Sequence, residues 1–222
     1  MALIVSMVSQ KGGVGKSILA RLMACIFASL GWKVKIADLD IGQGTSFHWR
    51  TRRLENKIEP DVPVEQFGTV DKALALGDQY DMLILDGAPH ATSSTRAMAE
   101  KSHLTAIPTG LSLDDLVPAV VLAHDLVKHG VPRERIVFVL CRVGDSEIEI
   151  QEARAYLEKA GYDVLPGAIP EMTGYRRAND KGRALTETSF KTLNQHAEEV
   201  AQGIVDRISQ LTSTSTKKRS IA

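Results

Sequence analysis

A doubly wound, mainly parallel α/β sheet flanked by helices is the fold predicted here, on three observations. Short, β-branched apolar runs alternate with segments of helical period along a chain of 222 residues. A glycine-rich loop carrying two lysines stands between the first run and the first helical segment. Aspartates close two further runs, at the strand end where such a sheet opens to ligands.

Leu3–Val8, Lys33–Asp38, Met82–Asp86, Leu104–Pro108 and Ile136–Cys141 read as buried parallel strands, with Val62–Phe67 and Val164–Ile169 as further candidates. Between them, Ser17–Leu30, Thr69–Leu76, Thr92–Lys101, Leu113–His129 and Glu147–Ala160 have helical period, which makes βαβ crossovers. Gly31, Gly130 and Gly161 follow three of these helices as stop signals. A last helix is expected from about Ser189 to Leu211, with Leu193, Ala197, Val200, Ile204, Ile208 and Leu211 along one face. The Ser/Thr run and Lys217-Lys218-Arg219 after it read as a disordered tail, 212–222, behind a single domain over 1–211. The first strand starts at about residue 3, which leaves no room for an N-terminal helix-turn-helix.

Composition narrows the class. Hydrophobic residues make up 44% and aromatics 5%, and 27 Lys+Arg balance 27 Asp+Glu. Disordered, collagen-like and acidic-tail proteins are excluded. Zero net charge removes any bulk attraction to nucleic acid, so such a contact needs a local patch. No apolar run reaches the ~18 residues of a membrane span. Met1–Gln10 lacks a signal-peptide pattern. Cys25 and Cys141 have neither disulfide-framework nor metal spacing and read as buried hydrophobes. The expectation is a soluble protein of a reducing compartment.

The chemistry concentrates in Gln10-Lys11-Gly12-Gly13-Val14-Gly15-Lys16-Ser17. Glycines let backbone amides turn inward around phosphate oxygens, and the following helix adds its positive end. Lys16 would reach the β- and γ-phosphates and the Ser17 hydroxyl would ligate Mg²⁺. Asp38 and Asp40 lie two apart at a strand's carboxyl end, so both can face the crevice. Asp86 ends an apolar strand before Gly87-Ala88-Pro89 and would hold a water of the metal shell.

Gln10 stands where an ordinary P-loop has its first glycine, and a second lysine, Lys11, precedes the glycines. In this the sequence resembles the ParA/MinD family of deviant Walker A P-loop NTPases, most of all the small ParA-type partitioning and positioning ATPases. The resemblance covers roughly residues 3–210, with its strongest motifs in the first 90. It implies Mg-dependent hydrolysis of ATP to ADP and phosphate, with Lys11, Lys16 and Asp40 catalytic. Lys11 would reach the nucleotide of the other subunit of an ATP-driven sandwich homodimer, and Asp40 would orient the attacking water. Nucleotide would be held by Lys11 through Ile18, with Gly12, Gly13, Val14, Gly15, Lys16 and Ser17 between them; Arg142 and Pro170 would lie on the adenine side. Metal would be held by Ser17, Asp38 and Asp86. For Arg142 and Pro170 the alternative is a surface arginine and a turn proline.

The family further implies nonspecific DNA binding and an adaptor protein, ParB-like or a small centromere-binding or cargo protein, that stimulates hydrolysis. It also implies a cytoplasmic location, nucleoid-associated in the ATP state. Arg176, Arg177, Lys181 and Arg183 pack four cations around one acid and are candidates for the DNA contact, against a solvated basic loop. Arg50, Arg52 and Arg53, near Glu55 and Lys57, read instead as a solvated helix face. Two alternatives are a MinD-like membrane-surface switch, which needs a C-terminal amphipathic helix, and a metabolic ligase of the same fold.

Overall fold

The computed structural model describes residues 2–90 and 93–219, with 214–219 as backbone alone. β-Branched and apolar strands pair in parallel throughout, in the order β3-β2-β4-β1-β5-β6-β7, with β8 beside the far end of β6. The strands are β1 (Leu3–Met7), β2 (Val34–Asp38), β3 (Val64–Gln66), β4 (Met82–Asp86), β5 (Leu104–Thr109), β6 (Ile136–Val143), β7 (Asp163–Val164) and β8 (Ile169–Pro170). The expected strand Val164–Ile169 is two short strands, because Pro166-Gly167 interrupts the ladder between them.

Successive side chains of each strand feed opposite layers. Val5, Met7, Ile36, Ile84 and Val139 pack under α1 (Lys16–Ser29) and the last helix, α8 (Lys191–Arg219). Val8, Leu83, Leu85, Ile107 and Phe138 pack under α4 (Ser93–Lys101), α5 (Leu113–Lys128) and α6 (Glu147–Lys159). Both faces are thus covered, as an all-parallel sheet requires. Thr92, expected to open α4, lies outside the described residues.

Three further helices are α2 (Thr45–Glu55), α3 (Val70–Leu74) and α7 (Thr173–Asp180). α2 corrects the expectation of a solvated arginine face. Arg53 is fully buried, donates to both Glu187 oxygens at 2.7 and 2.8 Å, and lies 5.3 Å from the Trp49 ring centroid. Arg50 is paired with Asp61 at 2.9 Å.

The expected end of the last helix at Leu211 is also corrected: its backbone stays helical to Arg219. Thr212 Oγ1 donates to Ile208 O at 3.0 Å and Ser213 Oγ to Ser209 O at 2.8 Å, so the hydroxyls bond back to the preceding turn and do not break it. Residues 220–222 of the expected tail lie outside the described residues. No helix among the described residues is long and apolar enough to cross a membrane.

Candidate nucleotide site

Sheet order decides where the motifs meet. β1 lies between β4 and β5, and β2 lies beside β4, so the loop after β1 opens beside the carboxyl ends of β2 and β4. Register puts Asp38 opposite Asp86, and Asp86 opposite Met7. Gly87 continues from β4 with its amide on Met7 O at 3.1 Å. A Cβ there would stand 2.9 Å from that same oxygen, so only glycine lets the two chains approach so closely.

The loop Gln10–Ser17 wraps an open cavity of about 190 Å³, walled by Gly12, Gly13, Gly15, Lys16, Ser17 and Asp40 among others. Gly15 has φ +118°, and a Cβ on it would come 3.1 Å from Cys141 Sγ, so both conformation and space demand glycine. α1 starts at Lys16 with no side-chain cap and no acid in its first turn. Its first amides are therefore left for a ligand, and its dipole favours an anion.

Lys16 is buried and folds back along the loop, donating to Ser9 Oγ at 2.9 Å and Lys11 O at 3.1 Å. Burial lowers its pKa, against the pull of the nearby Asp86 and Asp40 carboxylates. Beneath it, Asp86 is 1% exposed and accepts from Ser17 Oγ at 3.2 Å and Ser46 Oγ at 2.6 Å. Burial pushes its carboxyl up to about 6, with the Ser46 hydrogen bond opposing.

Asp38 and Asp40 part company. Asp38 is fully buried, and its oxygens accept the backbone amides of Asp40, Ser46 and Phe47 at 3.0–3.1 Å. It therefore holds the start of α2, whose first turn has no other side-chain cap. Asp40 reaches the cavity wall and accepts the Gln43 amide at 3.2 Å.

Lys11 faces away from its own cavity. Its Nζ lies 2.8 Å from Asp115 Oδ1 in the first turn of α5, and its side chain is 41% exposed. Ser112 Oγ donates to the other Asp115 oxygen at 3.1 Å.

Beside the phosphate cavity lies a mostly apolar slot of about 70 Å³ that brings Ile18, Arg142 and Pro170 together with Cys141, Ile169 and Tyr175. Arg142 has φ +57° and donates to Glu171 at 3.0 Å. Arg176 donates to the other Glu171 oxygen at 2.7 Å and to Thr173 at 3.0 Å, so it belongs to this slot. The remaining expected DNA cations, Arg177, Lys181 and Arg183, are exposed and share another concavity with Phe190. The four-residue patch, expected as one basic stretch, is thus divided by α7.

Two cavity residues and one buried beside them went unread in the sequence. Arg21 and Asn179 line the cavity, and buried Ser46 bridges Asp38 and Asp86. Arg21 follows Ser17 by four residues, on the same helical face, which was the available signal. Ser46 and Asn179 carry no such signal, because only the fold brings them in.

Among the described residues no three His, Cys, Asp or Glu side chains gather to hold a metal. One hydroxyl and one carboxylate, adjacent at the base of an anion cradle, fit Mg²⁺ shared with phosphate oxygens and water. The residues present therefore fit a magnesium nucleotide.

No curated protein sequence matches the chain. Among solved structures, the cell division ATPase MinD of Pyrococcus furiosus is 19% identical, with TM-score 0.74 over 93% of this chain and 99% of its own. MinD of Pyrococcus horikoshii, complexed with Mg-ADP, is 18% identical, with TM-score 0.71 over 92% and 96%. A pNOB8 ParA bound to nonspecific DNA is 14% identical, with TM-score 0.60 over 93% and 99%. At these identities the likeness concerns the fold, which is that of the MinD/ParA P-loop NTPases. The profile of the CobQ/CobB/MinD/ParA nucleotide binding domain matches residues 5–185, and the chain belongs to that family.

Proposed function

We propose that this chain is a ParA-type positioning ATPase: ATP drives a sandwich homodimer, the dimer holds nonspecific DNA, and adaptor-stimulated hydrolysis releases it. The observation that carries the reading is the disposition of the two loop lysines. Lys16 lies against its own cavity, whereas Lys11 stands outside it, exposed and held by Asp115. A lysine so turned has no task at its own nucleotide and is free to serve the nucleotide of a second copy.

In this reading Lys16 and the α1 amides bind the β- and γ-phosphates, and the slot lined by Ile18, Arg142 and Pro170 takes the adenine. Mg²⁺ would be held by Ser17 and, through water, by Asp86, and it supplies neutralisation of phosphate charge. Asp40, on the cavity wall, orients the attacking water, and the partner's signature lysine adds cationic stabilisation where charge develops. Asp38, expected near the metal, acts by fixing α2 and hence Ser46.

Arg177, Lys181 and Arg183 form the DNA contact, doubled by dimerisation so that two weak half-sites act together. ParA of pNOB8, solved on nonspecific DNA, supports that step by analogy. The membrane-switch alternative gains a helix through Arg219, but none of its residues 212–219 is large and apolar.

The test is retention of random-sequence duplex DNA with ATP, with ADP and without nucleotide. The reading expects retention with ATP alone. Equal retention in all three states, or ATP-dependent pelleting with liposomes in its place, rejects it.

A further inference from the structure

We propose that Arg21 is a built-in counter-cation to Asp86, and that its charge sets how tightly this site takes a divalent cation. The inference rests on the magnesium-nucleotide reading of the same cavity.

Arg21 lies one turn beyond Ser17 on the face of α1 that meets the carboxylates, and it is 1% exposed. Its Nε donates to Ser46 Oγ at 3.2 Å, and Ser46 in turn donates to Asp86 Oδ2 at 2.6 Å. Ser17 donates to Asp86 Oδ1 from the cavity side. The carboxylate is therefore bracketed by two hydroxyls, with a guanidinium directly behind one of them. Nη1 is held by Asn179 Oδ1 at 2.6 Å, and the guanidinium carbon lies 5.6 Å from the Trp49 ring centroid.

Among the described residues Nη2, itself buried, has no hydrogen-bond partner. A guanidinium whose donors go unpaired is a poor choice for hydrogen bonding alone. What this position gains is a positive charge beside two buried carboxylates, Asp38 and Asp86. Burial lowers the Arg21 pKa to about 10, against the attraction of Asp86, so the charge persists at neutral pH.

In the metal-free chain that charge makes a buried carboxylate tolerable. When a divalent cation arrives beside Asp86, the same charge repels it through a medium of low dielectric. Lys16 also faces Asp86, but the phosphates engage it when nucleotide binds. Arg21, fastened to Ser46 and Asn179, remains where it is.

Metal-stripped protein carrying a fluorescent ADP analogue is titrated with MgCl₂ for the parent, Arg21→Gln, Arg21→Met and Arg21→Lys. The two neutral variants should half-saturate at about ten-fold lower Mg²⁺, while the lysine variant, which keeps the charge but loses the fork, should match the parent. An unchanged midpoint in the neutral variants, or a lysine variant that shifts as they do, overturns the proposal.

Thermal melting without metal gives an independent arm. Arg21→Gln should lower the melting temperature, and adding Asp86→Asn should restore it, since a buried charge is then no longer unbalanced. A double variant that melts no higher than Arg21→Gln, or stays unfolded, contradicts the inference. A parent chain that fails to bind the Mg–ADP analogue refutes the nucleotide reading itself and leaves the melting arm to judge Arg21.

Discussion

Lys11 and Lys16 stand five residues apart on one loop, yet they meet different acids. Lys16 lies among Ser9, Asp86 and Asp40, and Lys11 is drawn to Asp115 across a gap of 104 residues in sequence. Lys16→Ala removes the cation aimed at the phosphates and should weaken ATP and ADP binding by on the order of 100-fold in calorimetry. Lys11→Ala should change ADP affinity of the single chain by less than about two-fold, because its side chain makes no wall of the cavity. His103 is a separate case, just before β5, with Nδ1 accepting the Ile4 amide at 3.0 Å. Burial lowers its pKa, so the unfolded chain binds the proton more readily, and stability falls as pH drops below the unfolded value of ~6.5. The melting temperature should decline from pH 7 to 5.5, and His103→Asn, which keeps an acceptor without titrating, should flatten that decline.

At the scale of elements, the glycine loop was legible because its residues are adjacent and each has a backbone task. The arginines were not, since their partners come from remote elements. Arg50, Arg52 and Arg53 looked alike by composition, but a helix separates them by 100° steps, and Arg53 shares the Trp49 face at i, i+4. Glu187 and the Gly182 and Pro60 carbonyls then close around it. Arg53→Ala should therefore destabilise the fold by about 3–5 kcal/mol in urea titrations, since it strips a partner from Glu187 and empties a packed site. The basic stretch was legible as a cluster but not as a helix that divides it. Changing Arg177, Lys181 and Arg183 to Glu should weaken DNA retention on every sequence alike. Log affinity against log salt should become shallower by roughly one unit for each phosphate no longer neutralised. If the slot beside the cavity takes the adenine as proposed, Arg176→Glu should instead weaken nucleotide binding through Glu171, with the DNA salt slope unchanged.

At the scale of the molecule, the parallel order from β3 to β7 puts every phosphate-side motif at the carboxyl ends of the inner strands β1, β2 and β4. Lys11 is displayed at that end, with its side chain 41% exposed and paired to Asp115. In the proposed reading this lysine serves the γ-phosphate of a second copy, so dimerisation should require ATP. The direct measurement is mass by light scattering behind size exclusion, on Asp40→Ala with Mg-ATP, chosen because slowed hydrolysis preserves the ATP state. That variant should elute at twice the mass of one chain with ATP and as a single chain with ADP. Adding Lys11→Ala should return it to a single chain. A single chain with ATP, or a dimer that ignores the loss of Lys11, contradicts the account.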